Sequence, residues 1–146
     1  MLWLRKSKKG FTLIELMVVV AIIGVLALLG LRLYTGQQEK AKNAIVKANA
    51  GTIQTLIQAE LADRSVDDLN TTGELTTIVF DNAGIYNPVT GDQQDTCPDN
   101  EAAAAAGEVW VTYTAASGSV AAFWTINGAN ATDSGNVYIN ALTARK

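Results

Sequence analysis

Histidine is absent from this 146-residue chain, cysteine occurs once and proline twice. Without an imidazole, histidine acid-base catalysis, histidine metal ligation and histidine-activated nucleophiles are excluded. No phosphate-binding loop and no cysteine pair takes their place, so the chain is not read as an enzyme and no cofactor or metal centre is assigned. The lone Cys97 cannot close an internal disulfide and is expected to be an inert loop thiol. Neither proline falls in the long helix read below, so no proline kink is expected. Positive charge is also scarce, with 11 basic against 14 acidic residues, and the net charge of -3 disfavours bulk binding to nucleic acid. The length is that of one small domain.

What the chain does have is an apolar run. From Phe11 to Leu31 the only charge is Glu15. At about 1.5 Å of rise per residue, such a helix matches a hydrocarbon core of roughly 30 Å. Arg5, Lys6, Lys8 and Lys9 precede it, as in a secretory signal. A cleaved signal ends its apolar run at small residues, whereas here Arg32 and Leu33 follow and helix-compatible sequence continues past Tyr34. The small residue, Gly10, stands before the run. Basic residues are equally numerous on the two sides, because Arg32, Lys40, Lys42 and Lys47 lie soon after the span. The compactness of the leading cluster places the amino terminus inside.

The stretch Lys8-Lys9-Gly10-Phe11-Thr12-Leu13-Ile14-Glu15, followed by an unbroken apolar helix, resembles the start of a type IV pilin precursor. The resemblance covers about the first third of the chain. It implies a leader, residues 1–10, cut after Gly10 by a prepilin peptidase, and a mature chain beginning at an N-methylated Phe11. It implies a membrane-spanning and assembly helix over 11–36 and a globular domain over 37–146 that includes the second half of the long helix. Losing the four basic leader residues takes the net charge from -3 to about -7. The implied partners are further copies of the chain, the prepilin peptidase, an inner-membrane assembly platform and the membrane itself before assembly. The implied localisation is a single-pass inner-membrane precursor and then an extracellular filament. Many pilins close a carboxy-terminal loop with a disulfide, and this chain departs from that pattern.

Helical periodicity runs on from the span, predicting one helix from about Thr12 to Ala62. Tyr34, Ala41, Ile45, Ala48, Thr52, Leu56 and Ala59 fall on one face, and Val46, Ala50, Ile53 and Ile57 form a second apolar stripe. Two stripes suit two packing partners, or a single wide face in a small core. Gly24, Gly30, Gly36 and Gly51 are points of weakness, with the Gly24 to Gly30 segment the first to loosen on assembly. Beyond the helix, Ser65 to Asp68 and Asn70 to Gly73 carry turn chemistry, and Leu75 to Phe80 reads as a short strand. Glu101 to Ala106 reads as one or two helical turns closed by Gly107. Glu108–Thr114 and Ser119–Ile126 form a hairpin signal around Ala115 to Gly118, and Val137–Leu142 supplies a third strand. The expected fold class is α+β, a long amino-terminal helix packed against a small antiparallel sheet that buries an alternating subset of Trp110, Val111, Tyr113, Phe123 and Trp124.

Glu15 has two readings. Thr12 and Glu15 have capping-box spacing, which satisfies free amides at a helix start. A carboxylate inside an apolar span also calls for a partner charge, and the resemblance implies that this partner is the Phe11 amine of a neighbouring subunit. The acidic loop Asp92, Asp95, Asp99 and Glu101 offers oxygen ligands for calcium but matches no EF-hand spacing, so a solvated loop is expected. Asn70-Thr71-Thr72 and Asn130-Ala131-Thr132 fit the N-glycosylation pattern and read first as turns. Three functions follow: a type IV pilus subunit, a minor pilin or pseudopilin of a secretion or DNA-uptake machine, or a single-span protein displaying a binding domain.

Overall fold

The computed structural model describes residues 10–66, 68–69, 72–132, 135–138 and 140–145. The expected leader, apart from Gly10, lies outside them, as do Asp67, Asn70 and Thr71 of the expected turns. The chain divides into two compact units, residues 1–37 and 38–146. Helix α1, Leu13–Asp63, begins in the first and ends in the second. In the first unit every large apolar side chain from Phe11 to Tyr34 is exposed, and among the described residues no other element of that unit covers them. Gly24, Gly30, Gly36 and Gly51 do not interrupt the helix. The backbone bonds of α1 close within the element, so isolated glycines cost it stability without breaking it.

In the second unit α1 supplies one wall of the core. Val46, Ala50, Ile53, Ile57 and Leu61 are buried, at intervals of three and four residues that keep them on one face. Of the two stripes expected from periodicity, this one faces the domain. Ala41, Ile45, Ala48, Thr52 and Ala59 of the other stripe remain on the surface of the chain, with Leu56 half-buried between the two. Polar side chains fasten the helix at its margins. Asn43 Oδ1 accepts from the Ala131 amide at 2.9 Å, Asn49 Nδ2 donates to the Tyr86 carbonyl at 2.9 Å, and Gln54 Nε2 donates to the Thr143 carbonyl at 2.9 Å.

The segment expected to be a strand at Leu75 to Phe80 is helical. Helix α2, Thr72–Leu75, passes into a π-helical turn, Thr76–Phe80, and then into α3, Asp81–Ala83, which ends at Gly84 with φ +58°. The π geometry is fixed by the Asp81 amide, which donates to the carbonyl of Thr76, five residues back. Leu75, Val79 and Phe80 are the residues this turn buries. Their spacing suits a helical face, and packing overrides the β propensity of the threonine, isoleucine, valine and phenylalanine side chains.

The sheet has three antiparallel strands in sequence order: β1, Val109–Thr114, β2, Phe123–Gly128, and β3, Leu142–Ala144. Val109 pairs with Gly128 and Thr114 with Phe123, while Trp124 pairs with Ala144. The hairpin expected from the aromatic and β-branched runs is therefore present. Its second strand starts four residues later than expected, because Ser117 and Val120 close a tight turn on each other through Gly118 at φ +59°. The third strand also lies later than expected. Asn136 makes only an isolated bridge to Ala129, and pairing resumes at Leu142; Ile139 lies outside the described residues. Val109, Val111, Trp124 and Ile126 join the core on α1. Trp110 points the other way and closes a small second cluster with Ala104 and Ala129, while Tyr113 and Phe123 are half-buried. Loop residue Cys97 belongs to the main core.

The alanine run after Glu101 forms turns and no helix. The Ala103 amide bonds to Asn100 Oδ1 at 3.1 Å, and the Ala105 amide bonds to the Glu108 carboxylate at 2.8 Å. Five alanines are too few to nucleate a helix against side-chain acceptors placed at both ends. Gly107 does close the segment, at φ +87°, and its amide donates to the Ala129 carbonyl at 3.1 Å.

Among the described residues three polar side chains are buried, and all three are carboxamides: Asn87, Gln94 and Asn127. Each bonds to backbone groups that no strand pairs or only a loop presents. Gln94 accepts from the Val109 amide at 2.9 Å and donates to the Val109 carbonyl at 2.6 Å, extending the sheet past β1 with its own side chain. Asn127 Oδ1 accepts from the amides of Gly128 at 2.8 Å and Tyr138 at 3.2 Å, and its Nδ2 donates to the Tyr138 carbonyl at 3.2 Å. Asn87 ties the Ala106 carbonyl, at 3.1 Å, to the Val89 amide, at 2.8 Å. Carboxamides thus hold the loops that a disulfide holds in other small domains.

Candidate functional site

Helix α1 starts at Leu13, which makes Thr12 its N-cap, and the Leu16 amide closes the first turn on the Thr12 carbonyl at 3.3 Å. Thr12 donates its backbone N–H to Glu15 Oε2 at 2.9 Å and its hydroxyl to the same oxygen at 2.7 Å. In return the Glu15 amide donates to Thr12 Oγ1, at a longer 3.4 Å. This is the reciprocal capping box that the spacing of the two residues predicts. Both bonds fall on Oε2, and Oε1 accepts no hydrogen bond among the described residues. Capping therefore occupies half of the carboxylate.

Phe11 and Gly10 precede the cap and are exposed. A Cβ built on Gly10 meets nothing within 4 Å, so folding places no demand for glycine there. Leu13 to Leu33 then present exposed apolar side chains all round, a helix long and apolar enough to cross a membrane. A helix that is hydrophobic on every side needs lipid or other apolar helices around it.

The amino-terminal 27 residues from 5 to 31 match the family model of the prokaryotic N-terminal methylation motif. Fimbrial protein EcpB of Eikenella corrodens is 47% identical over 56 residues, covering 38% of this chain and 35% of that protein. A type IV major fimbrial protein FimA of Dichelobacter nodosus is 40% identical over 60 residues, 41% of this chain and 38% of the relative. The type IV major alpha-pilin of Moraxella bovis is 42% identical over 55 residues, 38% and 35% of the two chains. The amino-terminal segment is similar to those of type IV fimbrial proteins and pilins. The chain spans little more than a third of the length of these relatives, from 35% to 38%. No solved structure matches the chain. The amino-terminal segment thus carries the likeness to these relatives, and the α+β fold of the remainder stands on the structure itself.

The other candidate residues do not converge on one another. Glu101 accepts from Asn136 Nδ2 at 2.8 Å, and the Asp99 carbonyl accepts from the Thr112 hydroxyl at 2.7 Å. Among the described residues no group of three or more His, Cys, Asp or Glu side chains could hold a metal ion. Cys97 is buried and unpaired as a thiol, and burial, aided by the Asp99 charge, pushes its pKa up to about 12. Such a thiol is un-ionised near neutrality and unreactive. Asn130 of the second glycosylation pattern is half-buried, and its amide bonds to the Gly135 carbonyl; the first pattern begins with Asn70 and Thr71, outside the described residues. Glu39 is the only acid between Glu15 and Glu60 in the sequence, and it is exposed.

Proposed function

We propose that this chain is a structural subunit of a type IV pilus. In this reading residues 1–10 are a leader removed after Gly10 by a prepilin peptidase, and Phe11 becomes the methylated amino terminus. Residues 11–36 hold the precursor in the inner membrane and then form the assembly helix, while residues 37–146 form the domain at the filament surface. The role is structural, and no reaction chemistry is assigned to the chain. The observation that carries the proposal is the half-used carboxylate of Glu15 at the head of an apolar helix with no cover of its own. A filament supplies both missing partners, the apolar helices of other subunits and an amine for Oε1. In a bundle of such helices the attraction between the Phe11 ammonium of one copy and Glu15 of another is several times stronger than in water.

Glu15→Gln keeps a side-chain oxygen for the cap and removes the charge. The variant is expected to be cleaved and to reside in the membrane, yet to yield few or no filaments by electron microscopy. Mass spectrometry of native filaments is expected to find Phe11 as the amino terminus. Filaments of normal number and length from the Gln variant would show that capping alone accounts for Glu15. A native protein that stays in the membrane and never polymerises would favour the single-span binding protein.

A further inference from the structure

Arg32 and Glu39 are the unexplained charges of α1. Arg32 is the only basic residue between Gly10 and Glu39, and Glu39 is the only acid for more than twenty residues on either side. Both are exposed, and neither forms an ion pair among the described residues, where Arg64 and Glu60 make the one pair present. Lys42, three residues beyond Glu39 in the helix, makes no ion pair with it either. Arg32 is flanked by exposed Leu28, Leu29, Leu31 and Leu33. A guanidinium set among apolar helices is costly unless it meets a carboxylate.

Seven residues of α1 separate the two, and in an α-helix that spacing is two turns, about 10 Å of rise, beyond the three or four residues at which side chains of one helix pair. On the pilus reading, which this inference extends, we propose that Arg32 of one copy pairs with Glu39 of another in the filament. The partner copy is displaced along parallel helices by about two turns. Sliding one copy towards the carboxy-terminal end of its neighbour's helix raises its Phe11 towards the neighbour's Glu15. The same slide brings its Arg32 level with the neighbour's Glu39. The first match needs about four residues of rise, roughly 6 Å, and the second about 10 Å; the long, flexible arginine stem spans the difference. Had the acid preceded the base, the two pairs would demand opposite displacements. The order of charges along the chain therefore suits one stagger, with an ion pair at each end of the apolar segment.

Charge exchange in the full-length protein, expressed with its assembly machinery, tests the pairing. Arg32→Glu and Glu39→Arg are each expected to lower filament number about tenfold or more, since each sets like charges against each other. The double exchange is expected to restore filaments to within about twofold of native. A single exchange with native filament numbers overturns the proposal, as does a double exchange no better than the weaker single. If lipid phosphate alone holds Arg32, Glu39→Arg assembles normally, and that too overturns it. A second measurement does not depend on reversed charge. Filaments assembled from a mixture of Arg32→Cys chains and Glu39→Cys chains, treated with a short bis-maleimide, are expected to give crosslinked dimers, because the native Cys97 is buried and no chain carries both new thiols. Monomers alone in such filaments refute the pairing. A native chain that makes no filaments fails the pilus reading and this inference together, whereas native filaments with indifferent variants fail this inference only.

Discussion

Replacing Asn127 by leucine, which keeps the branching of the side chain and removes its polar atoms, should destabilise the domain by about 3 kcal/mol. The side chain is nearly sealed from solvent, and it makes three hydrogen bonds to backbone groups of Gly128 and Tyr138, at 2.8, 3.2 and 3.2 Å. Each bond contributes about 0.5–1.5 kcal/mol net, and a buried amide left unpaired adds its desolvation cost. Urea unfolding of a fragment beginning at Gln38, followed by circular dichroism, is the measurement. The fragment keeps the buried stripe of α1 and omits the exposed apolar run, so light scattering should find a soluble monomer. With an m-value of roughly 2 kcal/mol/M, the midpoint should fall by about 1.5 M at unchanged slope. The control is Asn82→Ala, since Asn82 is also an asparagine bonded to a backbone carbonyl, that of Ile78 at 3.0 Å, but lies exposed. It should move the midpoint little, by no more than about 0.5 kcal/mol in free energy. Equal effects of the two substitutions would refute the view that burial makes the carboxamide indispensable. An aggregated fragment would show that the domain needs the first half of the helix.

A Cβ added at Gly128 meets Val46 Cγ1 and Val137 Cγ2, so Gly128→Ala should cost about 1–3 kcal/mol by overpacking; adding Val46→Ala should recover part of that loss in a double-mutant cycle, and simple additivity would argue against the contact. Cys97 should resist a maleimide in the native fragment at pH 8 and react once urea unfolds it, and fast native labelling would contradict its burial. Its folded pKa lies above the ordinary value of 9.0, so its contribution to stability is full below pH 9 and should decline as pH rises from about 9 towards 12.

The helix was legible because two signals agreed along its length, apolar continuity from Phe11 to Leu31 and helical periodicity beyond. Its end at Asp63 falls one residue past the expected end. Thr12 and Glu15 were legible as a cap because the capping box is local in sequence. The misreading at Leu75 to Phe80 has a different origin. Six residues rich in β-branched side chains carry little local information, and their helical form is settled by burial of Leu75, Val79 and Phe80 in the core. The alanine run failed in the opposite sense, since high helix propensity cannot overcome nucleation in so short a segment. The carboxamide ties were not legible at all. Gln94 and Val109 are fifteen residues apart, and nothing in the spacing of a glutamine from a valine announces a paired backbone.

The identity of the buried polar residues has a consequence for how the domain meets acid. Asn87, Gln94 and Asn127 carry neutral carboxamides, which neither gain nor lose a proton across the range in which carboxylates titrate. No histidine exists in the chain to become charged inside the fold. Lowering the pH therefore discharges acids, bringing the full-length chain towards its sequence isoelectric point near 4.8 and weakening the Glu101 and Glu108 ties, but it leaves the buried carboxamide bonds untitrated. Acid should change how copies of the domain repel one another in solution well before it changes the fold of any one of them.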